Sequence, residues 1–227
     1  MTEVKSGGTI SHWITAMNRY GFQEKAMVFS EDKLGDNKRL KESGLPTFPD
    51  FIVPLGEFSE QNQELIAFLS SHTDYVIRAI PNVLGLTRKF RIGVKSFADC
   101  LDFLSQTISP EEQNKYSIFL TGRGKEPITI AGVIISRKKD LIIEVAKGNL
   151  DELCHGRINP QSRGYLSELI CSMNYSTKDT KERELMWNAL RHIRDSGEFM
   201  KGYFEFVATE KGKVTFVDYK TNSAYLS

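Results

Sequence analysis

Apolar residues in the second half of this chain fall in short β-rich runs, and none is long. Residues 116–121, 128–136 and 141–146 each have the length and composition of a strand. The last two are joined only by the polar turn Arg137-Lys138-Lys139-Asp140. Two further strands, 202–208 and 213–220, close the chain. A doubly wound parallel sheet needs a helix between successive strands, so this pattern predicts an α+β fold with antiparallel sheets.

Helical signals fill the gaps between these runs. Residues 32–42 predict a helix stopped by Ser43-Gly44. A second starts at Ser59, with Leu65, Ile66 and Leu69 on one side. Ser96 caps a third that carries Phe97, Cys100, Leu101 and Leu104. Leu166, Leu169, Ile170 and Met173 mark a fourth, and residues 179–195 a long charged one ended by Gly197. Nearer the start, Trp13, Ile14, Met17 and Tyr20 have helical spacing behind Ser11, and residues 26–29 read as a short strand. Residues 74–80 form a β-rich run containing Arg78. Residues 89–95 alternate, with Phe90, Ile92 and Val94 on one face and Arg91 and Lys95 on the other. The expected division is an extension (1–30), a first subdomain (31–115) and a second (116–227).

Composition removes several classes. With 40% hydrophobic and 11% aromatic residues, the 227-residue chain can build a core and is not predominantly disordered. A net charge of +1 argues against a nucleic-acid binder, although Arg88, Lys89, Arg91 and Lys95 cluster around Phe90. The longest apolar runs are strand-sized, so no membrane partner is expected. No apolar leader stands near Met1, and Cys100, Cys154 and Cys171 form no CxxC pair; both point to a cytoplasmic protein with free thiols. His155 beside Cys154 is badly placed for a catalytic dyad, since strand neighbours face opposite ways. Thr121-Gly122-Arg123-Gly124-Lys125 lacks phosphate-loop spacing and reads as a hairpin loop.

The closing hairpin carries the most chemistry. A two-residue turn at Lys211-Gly212 sets Glu205 directly opposite Asp218, and Tyr203 opposite Lys220, on one face. A three-residue loop with a bulge would break that opposition. Opposed carboxylates repel. Either both point into water, or a cation compensates them, Lys220 or a divalent metal such as Mg²⁺.

The order of motifs resembles the nucleotide-binding domain of phosphoenolpyruvate synthase and pyruvate phosphate dikinase, a branch of the ATP-grasp superfamily. Four segments carry the resemblance. Asn37-Lys38-Arg39-Leu40 precedes Gly44-Leu45-Pro46-Thr47-Phe48-Pro49-Asp50-Phe51, like the family's lysine motif and "GLPVPPGF". Val76-Ile77-Arg78-Ala79 stands for "VRSS". Gly132-Val133, then Ile143-Glu144-Val145-Ala146-Lys147-Gly148, stand for the glycine-valine strand and the following strand and turn. Tyr203-Phe204-Glu205-Phe206-Val207 and Val217-Asp218-Tyr219-Lys220 stand for the "DIEWA" and "LQSRP" hairpin.

The resemblance implies two mixed or antiparallel subdomains with a nucleotide cleft between them, binding ATP with Mg²⁺. It implies that Lys38 and Arg78 contact phosphates and that Glu205 and Asp218 hold the metal. Lys220 stands near the phosphates in place of the family's arginine, acting with Arg78 in catalysis, and Glu144 and Lys147 lie by the nucleotide. The expected function is an ATP-dependent phosphotransferase or ligase component whose acceptor or protein partner is unidentified. The departures point to an alternative, a non-catalytic fold acting as a binding or scaffolding subunit. The hairpin aspartate is Tyr203, the serines after Arg78 are Ala79 and Ile80, and Asn149 and Leu150 interrupt the glycines.

Overall fold

The computed structural model describes residues 33–221, except 84, 125, 139, 149, 155–157 and 168–171. The expected helix at Trp13–Tyr20, the strand at 26–29, and His155 and Cys171 lie outside the described residues. The fold is mixed α+β, with antiparallel sheets. The chain divides into two compact units, one formed by residues 48–126 and the other by the segments on either side.

The smaller unit holds β1 (Asp50–Pro54), α2 (Gln63–Ser70), β2 (Asp74–Pro81), β3 (Lys89–Val94), α3 (Phe97–Thr107) and β4 (Tyr116–Arg123). Its strands run in the order β1-β4-β2-β3. One face is the core: Val53, Tyr75, Ile77, Ala79, Val94, Ile118 and Leu120 pack with Leu65 of α2 and with Cys100, Phe103 and Leu104 of α3. Both helices begin at side-chain caps. Asn62 Oδ1 accepts from the Leu65 amide at 3.1 Å, and Ser96 Oγ from the Asp99 amide at 3.1 Å. The cap at Asn62 starts α2 later than the Ser59 reading expects.

The larger unit opens with α1 (Lys33–Glu42). Gly44, at φ +68°, ends it in a Schellman turn: the Gly44 amide bonds the Lys41 carbonyl at 3.0 Å and the Leu45 amide the Leu40 carbonyl at 3.3 Å. The turn brings Leu40 and Leu45 into one core. After residue 126 come β5 (Ile128–Ser136), β6 (Asp140–Lys147), α4 (Leu150–Cys154), β7 (Ser162–Ser167), β8 (Asn174–Tyr175), α5 (Thr180–His192), the small hairpin β9 (Arg194–Asp195) and β10 (Glu198–Phe199), β11 (Gly202–Thr209) and β12 (Val214–Lys220). Six strands form one sheet in the order β12-β11-β5-β6-β7-β8. One face buries Ile134, Ile143, Val145, Phe204, Phe206 and Phe216 against Leu40, Leu185, Met186, Ala189 and Leu190. The other buries Ala131, Val133, Ile135, Ala146 and Tyr203 with Leu153 of α4.

β4 pairs with β1 and β2 in the smaller unit, while α1 and β12 belong to the other unit. Several expectations are corrected here. Thr121-Gly122-Arg123 is not a hairpin loop. These residues belong to β4, and the strand that follows lies in the other sheet. Leu166 is in β7, opposite Leu141, and not in a helix. The charged helix ends at His192, because Arg194 and Asp195 pair with Phe199 and Glu198 around Ser196-Gly197, both in the left-handed region. In β3 the alternation breaks at Gly93, an extra residue at φ +81° between the pairs Val76–Ile92 and Tyr75–Val94. That bulge turns Val94 into the core while Phe90 and Ile92 stay on the opposite, exposed face.

Candidate functional site

The closing hairpin reaches its pairing by two compensating irregularities. Its loop is three residues long, Glu210-Lys211-Gly212: the Gly212 amide bonds the Thr209 carbonyl at 2.9 Å and the Thr209 amide the Lys213 carbonyl at 3.1 Å. Gly212 supplies the left-handed residue at φ +81°. That loop alone would offset every later pair. A β-bulge between Glu205 and Phe206, with Val217 as the extra residue, restores the register. Glu205 therefore stands opposite Asp218, and Tyr203 opposite Lys220. The bulge also changes which residues point inward. Phe216 and Tyr219 both enter the core, which regular alternation would forbid, and Asp218 turns to the face of Glu205.

The same rung continues across the sheet. Glu205 pairs with Val133, Val133 with Glu144, and Glu144 with Arg163. Directly opposed residues share a face. Asp218, Glu205 and Glu144 thus lie in one line on the face floored by Ala131, Val133 and Ile135. Glu144 is 3% exposed and accepts from Arg163 Nε at 2.7 Å. Lys220 Nζ is 3.5 Å from Asp218 Oδ2. The Tyr203 hydroxyl donates to Glu205 Oε1 at 2.9 Å.

A fourth carboxylate joins from α1. Asp36 is buried and bonded to Arg39 Nη2. Burial, then the negative charge of Asp218, push its carboxyl up to about 6, against the opposing pull of Arg39 and Lys220. Sequence reading passed over Asp36, Arg163 and the Tyr203 hydrogen bond. Asp36 had one legible signal, an acid in the first turn of a predicted helix. Arg163 had none, since its place depends on three successive strand pairings.

The other expected residues lie elsewhere. Lys38 points outward on α1, its side chain 75% exposed and its Nζ 3.7 Å from Glu42. Lys147 ends β6 three residues after Glu144, so strand alternation puts it on the opposite face. Arg78 is in the smaller unit, on the face of its sheet away from the helices. Its Nη1 donates to Thr121 Oγ1 at 2.9 Å, and its guanidinium lies 5.5 Å from the Phe119 ring centre. The rung there reads Ile52, Phe119, Arg78, Phe90.

Among the described residues no three His, Cys, Asp or Glu side chains gather as a metal-binding group. Glu205 and Asp218 offer only carboxylate oxygens. That donor set suits Mg²⁺, which is commonly held by one or two carboxylates plus substrate phosphates. Among the described residues no helix is long and apolar enough to cross a membrane.

No family model matches the chain, and no curated protein matches it. Similar solved structures do exist. The D-alanine-D-alanine ligase from Coxiella burnetii is 9% identical at a TM-score of 0.43, over 84% of this chain and 47% of that one. The ADP complex of an N5-carboxyaminoimidazole ribonucleotide synthetase is 16% identical at 0.44, over 81% and 42%. A RimK domain ATP-grasp protein from Sphaerobacter thermophilus is 10% identical at 0.43, over 81% and 55%. The chain spans about half the length of the structures it matches.

Proposed function

We propose that this chain binds ATP with Mg²⁺ on the acidic face of its larger sheet. The observation that carries the reading is the single rung that aligns Asp218, Glu205 and Glu144, with Lys220 beside Asp218. Repelling carboxylates on one line of a sheet call for compensating positive charge. Arg163 supplies it at Glu144 and Lys220 at Asp218. In this reading Glu205 and Asp218 hold the cation and Lys220 lies along the phosphates. Bound Mg²⁺ would supply neutralisation of developing phosphate charge. The protein's own residues orient the nucleotide: the apolar floor excludes water, and the rung fixes where charge can sit.

Arg78 is proposed separately as a phosphate-contacting cation of the smaller unit, held in place by Thr121 and Phe119. The finer resemblance, to phosphoenolpyruvate synthase and pyruvate phosphate dikinase, belongs to the same proposal and rests on the four ordered segments. A phosphotransferase or ligase role follows from it, with an acceptor still to be found. One observation favours the second reading, a binding or scaffolding subunit. Lys38, expected on the phosphates, is outward and paired with Glu42.

Calorimetric titration of the chain with Mg-ATP and with a non-hydrolysable analogue tests the site. Glu205→Gln removes the ligand charge but keeps the shape. Magnesium-dependent binding lost in Glu205→Gln supports the site; undiminished binding in that variant removes it. Binding of both nucleotides without turnover of ATP toward any offered acceptor would favour the second reading.

A further inference from the structure

Tyr203 occupies a position that the proposed site does not itself explain. It is 2% exposed, sits two residues before Glu205 on the same face, and stands opposite Lys220. Its hydroxyl spans the gap between neighbouring rungs and donates to Glu205 Oε1 at 2.9 Å. The ring packs in the apolar floor with Ala131, Val133, Ile135 and Leu153, so the hydroxyl is delivered by a side chain with little freedom to move.

That bond restricts how Glu205 can bind a cation. A cation that chelates both carboxylate oxygens has to share Oε1 with the phenol, which already occupies one of its lone pairs and draws on its charge. A cation that takes one oxygen need not. Ca²⁺ accepts either one or both oxygens of a carboxylate in a flexible shell. Mg²⁺ demands near-octahedral geometry at short distance and takes carboxylates singly. We propose that Tyr203 is a positioning residue that makes Glu205 a single-oxygen ligand and thereby biases the site toward Mg²⁺ over Ca²⁺. This rests on the reading that Glu205 and Asp218 hold a cation with a nucleotide.

The test is calorimetric titration of the full chain with a non-hydrolysable ATP analogue, once in Mg²⁺ and once in Ca²⁺. The chain is taken as wild type, Tyr203→Phe and Glu205→Gln. The readout is the ratio of the Ca²⁺ to the Mg²⁺ dissociation constant. Any fraction of unfolded Tyr203→Phe cancels in that ratio, so a loss of stability does not mimic the effect. The proposal expects wild type to prefer Mg²⁺ and Tyr203→Phe to lose about tenfold of that preference, the scale of one hydrogen bond to a charged group. An unchanged ratio in Tyr203→Phe, with metal dependence abolished in Glu205→Gln, overturns the role of Tyr203 and leaves the site standing. Binding untouched in Glu205→Gln with either cation overturns the site, and this inference with it.

Discussion

The two sheets are built alike on one face and unlike on the other. Each buries one face against helices in an aliphatic and aromatic core. The second face of the smaller sheet exposes Phe90 (57%), Ile92 (51%) and Ile52 (47%) beside Arg78, and carries the Asp74–Arg123 ion pair as well. The second face of the larger sheet has its apolar floor covered by Leu153, and three acids share one of its rungs with Arg163. The difference shows how each face tolerates its charge. Arg78 lies over an aromatic ring and donates to a hydroxyl, contacts that a guanidinium makes at modest cost. Aligned carboxylates cannot be stabilised that way and need cations, here Arg163 from the neighbouring strand β7 and Lys220 two residues along β12 from Asp218.

The largest effect should come from the face the two sheets share in kind. Phe206→Ala empties the centre of the larger core and should cost about 4 kcal/mol in urea unfolding. A loss near that of a surface substitution would mean that this face is not a core. Next, Arg163→Met takes the guanidinium from the buried Glu144 carboxylate and should cost about 3 kcal/mol, with Glu144→Gln in the same chain restoring most of it. If the double variant is no better than the single, the rung is not held by charge compensation.

Asp36 gives a pH test. Its folded carboxyl is raised to about 6, from an ordinary 3.8. The folded state then binds its proton more tightly than the unfolded chain does. The stability this group contributes is fully present below the ordinary value and is lost as pH rises through about 6. Wild type should therefore lose on the order of 2 kcal/mol relative to Asp36→Asn between pH 4 and pH 7. Parallel stability profiles for the two would show that burial and the charge of Asp218 do not raise the Asp36 carboxyl. The smallest effect belongs to the open face. Phe90→Ser should change stability by no more than about 0.5 kcal/mol, as surface positions do. A larger loss would show that something covers this face.

Much of the fold was legible where order is local. Gly44 marks a helix stop in the sequence because a left-handed residue is what closes the last turn of α1. Ser96 marks a cap in the sequence because its hydroxyl replaces a missing helical acceptor. The failures were local too, but of a different kind. Bulges at Gly93 and Val217 leave no periodic trace, so the side-chain alternation on either side of them was misjudged or correct by compensation. The opposition of Glu205 and Asp218 was expected from a two-residue turn and occurs through a three-residue loop plus a bulge.

By itself, then, the sequence determined the antiparallel α+β class, the presence of the closing hairpin and the helix boundaries at Gly44 and Ser96, because turn chemistry and caps act over a few residues. The tertiary structure alone decided that β11 lies against β5, about seventy positions earlier in the chain, and that β7 completes the line at Arg163. No turn links β11 to β5 or fixes their register; burial of both faces of the sheet does. Only that pairing turns one opposed pair of acids into a rung of three. Only the packing of α1 along β12 adds Asp36 beside it and leaves Lys38 outside.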